Sequence, residues 1–393
     1  MRGSNHNGMR QFNERIVLQA IRLQGAMAKA DLARLTQLST QTVSIIVDRL
    51  LDDGLLLKQE RVRGRIGQPS VPLALNPSGA FSIGLQVGRR SLEVLASDFL
   101  GQPRHRQQFH YPYPDPGVVL PAIAQGLGAL RDALGADWAR TVGIGLTAPL
   151  SMHKWAGLFG DAAPALARWE ALDLTAEVQA LTDLPVEFAK DTTAACMAEM
   201  LQGRGRQIGS FLYVFVGTFV GGGLVLAGHI MAGPRGNAGA IGSMPIGLGA
   251  PGTPPPQLLQ LASGWQLEQA LELAGLDPLL VHRAAIGDAA YAAYTGPWLE
   301  QASRALAMAV VGAAALLDLD AVVIDGSLGS PLIDALLQAT RDQLQHYRPE
   351  GLNAPAVLRG EVGAHARALG GSLLPLHTQF FPLKDTFLKR DLA

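Results

Sequence analysis

The sequence predicts an α/β protein: a duplicated, two-lobed body behind a small α+β winged helix. Three observations carry this reading. Charge is uneven: residues 1–78 hold 11 Lys/Arg against 6 Asp/Glu, and the rest holds 21 against 27. Two segments, "FSIGLQVGRRSLEVLASDFLGQ" and "FLYVFVGTFVGGGLVLAGHIMAG", each read strand, turn, strand, glycine turn, as an internal duplication would. The first 78 residues carry three short helical patterns followed by two strand patterns. The divisions expected are a head over 1–78, a first lobe over 79–190 and a second lobe over 191–393.

The head comes first. Asn13 is a candidate cap for a helix whose face carries Ile16, Val17, Ala20 and Ile21, and Gly25 ends it. A second helix runs about Lys29 to Leu35. Ser39 then caps a third, in which Val43, Ile46, Val47 and Leu50 form the buried stripe. Its other face shows Thr40, Gln41, Ser44 and Asp48, and Gly54 stops it. Two helices around a tight turn, the second with small polar residues at its start, form a helix-turn-helix pattern. Such a helix fits the major groove, where Gln41 can bond an adenine edge and Thr40, Thr42 and Ser44 can reach phosphates or bases. Strands in "LLLKQE" and "VPLAL" make a wing, with Arg61, Arg63 and Arg65 on the loop between them. A basic head on an acidic body predicts that only the head meets a polyanion, which the helix-turn-helix pattern makes double-stranded DNA. The plainer alternative is a three-helix bundle with a solvated charge run.

The body alternates strand and helix patterns to about Phe381. Its composition, 48% hydrophobic and 17% charged, fits a globular chain with large cores rather than a disordered one. No uninterrupted apolar run reaches the ~20 residues of a membrane span. The polar N-terminus lacks an apolar signal core, so a cytoplasmic location is expected. The single cysteine, Cys196, excludes an intramolecular disulfide and a multi-cysteine zinc site. Its setting, "TTAACMAEM", reads as a packed helix. The run "ALAMAVVGAAALLDL" reads as core in preference to subunit interface.

The stretch "LARLTQLSTQTVSIIVDRLLDDGLL", the wing's Gly-x-Pro-Ser and "LNPSGAFSIGLQVG" resemble the winged-helix repressors of the ROK family, of the N-acetylglucosamine and xylose type. The resemblance implies an actin-like, hexokinase-like (ribonuclease H-like) body. It places Gln68 of "GQP" where relatives carry an arginine that enters the minor groove. It implies a repressor of carbohydrate genes that acts as a homodimer or homotetramer on an operator and responds to a small carbohydrate. A sugar kinase with an accessory head is the rival, and a constitutive DNA-binding protein with a dead pocket is a third reading.

The resemblance also assigns the cleft. "GTFVGGG" resembles the second phosphate loop, with Phe219 in place of a glycine. In "GLQVGRR", Gln86 stands for the family aspartate, and Arg89 and Arg90 for Gly-Thr. Asp325 of "IDGSLGS" replaces another glycine. These departures argue against phosphoryl transfer. "AKDTTAAC" places Asp191 at the kinases' catalytic carboxylate, here expected to accept hydrogen bonds from a ligand, with Lys190 replacing an asparagine. Ala240, Ser243 and Leu259 replace a sugar-binding glutamate, a zinc-binding histidine and a second glutamate. The expected ligand set is Lys190, Asp191, Asn237, Ser243 and Arg89. No cofactor is expected, and the family's structural zinc is expected to be absent, with the proline-rich segment Ala250 to Pro256 stiffening the loop instead.

Overall fold

The computed structural model describes residues 6–60, 71–150, 152–154, 162–348 and 350–382. The head holds α1 (His6–Gln24), α2 (Lys29–Thr36) and α3 (Thr40–Asp52), then β1 (Leu56–Lys58) and β2 (Leu73–Leu75). The strands pair antiparallel, Leu56 opposite Leu75. Val17, Ile21, Leu32, Val43, Ile46, Val47 and Leu50 bury one another beneath the wing strands. Ser39 caps α3, its hydroxyl accepting from the Thr42 amide at 3.1 Å. Asn13 is not a cap: α1 begins at His6 and Asn13 lies inside it. The reason is tertiary. Glu14 pairs with Arg49 of α3 and lies 3.9 Å from Arg10, so the turns before Asn13 are held against the head.

The body repeats one arrangement twice. In the first lobe β3 (Phe81–Val87), β4 (Ser91–Asp98), β5 (Pro103–His110), β6 (Thr141–Ala148) and β7 (Val186–Lys190) form a sheet of order β5-β4-β3-β6-β7. Helix α4 (Pro116–Leu134) covers its outer face, and α5 (Ala163–Ala167) and α6 (Leu174–Gln179) precede β7. Helix α7 (Asp191–Gln202) then crosses to the second lobe. There β8 (Phe211–Val216), β9 (Val220–Leu226), β10 (His229–Met231), β11 (Ala321–Gly326) and β12 (Ala356–Arg359) take the equivalent order β10-β9-β8-β11-β12. In each sheet the first three strands run antiparallel and the last two join in parallel. The duplication expected from the two glycine-turn segments is thus present strand for strand.

Helices α8 (Leu258–Ala262), α9 (Gly264–Leu273), α10 (Ala292–Leu317) and α11 (Ser330–Leu344) cover the second sheet. Helix α10 is long and apolar enough to cross a membrane by length and composition. Ala302, Ala305, Leu306, Ala309 and Val310 bury its inner face in the second core, as expected for "ALAMAVVGAAALLDL". The last helix, α12 (Ala366–Phe380), returns to the first sheet. A Cβ on Gly145 would lie 1.9 Å from the Gly371 carbonyl oxygen, so α12 reaches β6 only because glycine stands there.

Candidate functional site: the interlobe cleft and the reading helix

The glycine-rich stretch 217–223 is explained first by packing. Thr218 and Phe219 make the turn between β8 and β9, and the later glycines lie on β9 against α7. A Cβ on Gly223 would sit 2.4 Å from the Cys196 Cβ, and one on Gly221 would sit 2.8 Å from Thr192 Cγ2. Cys196 is fully buried, and burial pushes its thiol well above the ordinary range. It is a core residue.

A cavity of about 900 Å³ opens between the lobes. Lys190, Asp191, Asn237, Ser243 and Arg89 all line it. Lys190 ends β7 and Asp191 begins α7, so strand and helix together set their directions. Both are largely buried, which is not the arrangement of a surface ion pair. Asp191 Oδ1 accepts from the Thr192 amide at 2.8 Å, and its Oδ2 lies 3.6 Å from Arg367. The Lys190 ammonium donates to Asn237 Oδ1 at 3.3 Å and to the Ala238 carbonyl at 3.2 Å. Burial pulls the Lys190 ammonium below the ordinary lysine range, against the opposing pull of Asp191.

The far wall is a charge cluster. Glu268, 1% exposed, takes Arg89 on Oε2 at 3.1 Å and Arg90 on the same oxygen at 3.2 Å. Thr218 donates to Oε1 at 2.9 Å, and His282 lies 3.4 Å from it. Burial pushes the Glu268 carboxyl up, but His282, Arg89 and Thr218 together outweigh burial and hold it below the ordinary range. Burial also lowers Arg89 to about 10 despite the carboxylate, so it stays protonated. Its guanidinium lies 4.8 Å from the Trp265 ring, and Phe219 packs near the same indole at 6.3 Å. The space beside the glycine turn is therefore filled by arginine, indole and phenyl. Beside this turn the residues do not fit a nucleotide's magnesium ion: Gln86 offers no charge, and the carboxylate of Glu268 is already taken by the two arginines.

Asp325 is not a cleft residue. It is buried against Arg359 at 2.7 Å, accepts from Tyr213 at 3.1 Å, and accepts from the Gly363 amide at 2.9 Å. It ties β8, β11 and β12 to the start of α12. The loop 244–258 is closed by backbone bonds: Ile246 N–H to Pro256 O at 2.8 Å, and Leu258 N–H to Met244 O at 2.9 Å. Ser243 and this loop offer no histidine or cysteine, so they do not fit zinc. Among the described residues no three His, Cys, Asp or Glu side chains gather as a metal site.

On the head, Thr40 and Gln41 are exposed at the start of α3. Thr42 shares a hydrogen bond with the Ser39 hydroxyl at 2.8 Å. Ser44 is engaged inside the head: it accepts from Lys29 at 3.0 Å, and Lys29 pairs with Asp48 at 2.8 Å. Arg61, Arg63, Arg65 and Gln68 lie outside the described residues.

Sequence reasoning missed three groups. Ile45 is 55% exposed on the face of α3 that carries Gln41, where an apolar side chain suits a thymine methyl. Arg367 reaches the cleft from α12, far along the chain. Glu268 had a usable signal: it lies on the buried face of α9 with Gly264, Leu267 and Leu271, and a charge on an apolar stripe demands partners.

Several known proteins are similar. An uncharacterised protein of Sinorhizobium fredii is 26% identical over 94% of this chain and 92% of its own length. The putative xylose repressor of Caldicellulosiruptor sp. is 26% identical over 62% of this chain, and the xylose repressor of Bacillus spizizenii 22% over 62%. The alignments span about three fifths of those repressors, 60% and 62%. In structure, the chain resembles a ROK family transcriptional regulator homologous to the Escherichia coli MLC protein. The TM-score is 0.68 at 21% identity, covering 95% of this chain and 97% of that one. It also resembles a ROK hexokinase from Thermus thermophilus, with a TM-score of 0.54 at 26% identity, covering 75% of this chain and 97% of that one. The ROK family profile matches residues 82–377, both lobes from β3 into α12, and the chain belongs to the ROK family.

Proposed function

We propose that this protein is a DNA-binding transcriptional regulator, a repressor of carbohydrate-utilisation genes, whose interlobe cleft senses a small carbohydrate or sugar derivative. The observation that carries the reading is the junction of two parts. A capped helix showing Thr40 and Gln41 precedes a body whose phosphate side is filled by the Arg89–Glu268 cluster. The similarity to xylose repressors supports it. The heads act in pairs on a palindromic operator, which calls for a homodimer or homotetramer. Asp191, with Lys190, Asn237 and Ser243, holds the ligand; an ionised carboxylate accepts strong hydrogen bonds from hydroxyls. Arg89 serves the cleft through Glu268.

The similarity to a hexokinase, with Asp191 in the cleft, favours one rival, a sugar kinase carrying a DNA-binding head. An ATP-turnover assay over a sugar panel separates the two. The regulator reading expects no sugar-dependent turnover. Sugar-dependent ADP release that Asp191→Asn abolishes would favour the kinase.

A further inference from the structure

We propose that the cleft's ligand is an anionic carbohydrate, a sugar acid or a sugar phosphate, whose negative group pairs with Lys190. This rests on the reading that the cleft binds a small molecule, and it names the chemistry of that molecule.

Lys190 is 9% exposed and lines the cavity. Its two hydrogen-bond partners, Asn237 Oδ1 and the Ala238 carbonyl, are neutral. Among the described residues no carboxylate lies within 4 Å of its ammonium, and the neighbouring Asp191 is turned to Arg367 instead. A buried ammonium with dipolar partners alone is costly, because those partners do not replace the hydration it has lost. An anion arriving from the cavity would supply the missing charge.

The rest of the wall points the same way. Six lining residues are lysine or arginine, against two acids, Glu93 and Asp191. Arg89 and Arg90 share one carboxylate, Glu268. Cations remain in excess even when Glu268 is counted. Gln86 is 2% exposed and lines the same cavity, and its Nε2 donor has no hydrogen-bond partner among the described residues. It is an unmet buried donor of a residue in that wall. Ala240 and Leu259, also on the wall, offer no side-chain hydrogen bond to a hydroxyl. The excess of cations, with Lys190 facing no carboxylate and Gln86 an unmet donor, suits an anion better than a neutral polyol. Carboxylate and phosphate share this chemistry.

The test is calorimetry and thermal shift on the full chain with matched sets at constant ionic strength. One set is glucose, gluconate, glucuronate and glucose 6-phosphate. Equivalent sets are built on xylose and galactose, and inorganic phosphate alone is the control. At least one sugar acid or sugar phosphate should bind about tenfold or more tightly than its neutral parent, and inorganic phosphate should not reproduce the effect. The acid and phosphate arms show which anion the site takes. Lys190→Met should lose that preference and Lys190→Arg should keep part of it. The wild-type comparison stands by itself if the Met variant does not fold. The proposal is overturned if no anionic sugar binds, if a neutral sugar binds as tightly as its acid, or if Lys190→Met binds the anion as wild type does. None of these outcomes touches the regulator reading, which operator binding tests separately.

Discussion

Arg89 and Glu268 meet across the cleft, Nη1 to Oε2 at 3.1 Å, one on the β3–β4 turn of the first lobe and the other on α9 of the second. Arg90 joins the same oxygen at 3.2 Å. The two lobes are thus fastened by charge on the side of the cleft where the ROK resemblance places the nucleotide. Relative motion of the lobes has to break or carry this cluster.

Glu268→Gln should destabilise the fold by about 3 kcal/mol, because it leaves two arginines over an uncharged group in a buried site. The double variant Arg89→Met, Glu268→Leu should cost less than the two single changes added together, with a coupling of about 1–3 kcal/mol. Urea denaturation of the four proteins measures this. Strictly additive losses would mean that the pair is not a fastening.

Asp191→Asn should remove the ligand's effect on operator affinity. The substitution keeps the size and turns an acceptor-only group into a mixed donor and acceptor. Linkage adds a check: a ligand that weakens DNA binding must itself bind more weakly, by the same factor, when DNA is present. A titration of operator-bound wild type and variant reads both. A variant that responds as wild type does would remove Asp191 from the site.

Acid should loosen the junction of head and body. His377, on α12, stacks on Phe381 at 4.8 Å, and the Arg22 guanidinium lies over that same ring at 4.6 Å. Burial, with His229, Arg22 and Arg15 nearby, lowers the imidazole from 6.5 to about 4. The unfolded chain therefore binds the proton first. The stabilisation is complete above about pH 6.5, falls as pH drops from 6.5 toward 4, and is gone below that. His377→Phe should flatten the stability–pH curve in that window by up to about one proton. An unchanged slope in the variant would place the acid sensitivity elsewhere.

Much of this was legible in the sequence, for physical reasons. Ser39 and the stripe Val43, Ile46, Val47, Leu50 announce α3, because a cap and a 3.6-residue period are local properties. The paired glycine-turn segments announce the duplicated sheets, because each repeat folds into the same strand order. Asn13 misled because its capping preference yielded to the contacts of Glu14 with Arg49. The return of α12 to the first sheet, and with it Arg367 in the cleft, leaves no local trace, since it joins residues more than 200 positions apart. Arg89 was expected on the ligand. Its engagement with Glu268 follows from α9 packing against the glycine turn, which no spacing encodes.

The regulator proposal stands or falls on sequence reading by α3. Its most direct test is selection of genomic fragments by the purified protein, followed by sequencing, with wild type and Gln41→Ala in parallel. Wild type should enrich an inverted repeat with half-sites a whole number of helical turns apart. Gln41→Ala should lose base preference at one position of each half-site, at a cost of about 1–3 kcal/mol. Arg63→Ala should instead weaken binding to every sequence and reduce the salt slope by about one. Wild-type protein that enriches no motif over bulk DNA would rule out sequence reading by α3.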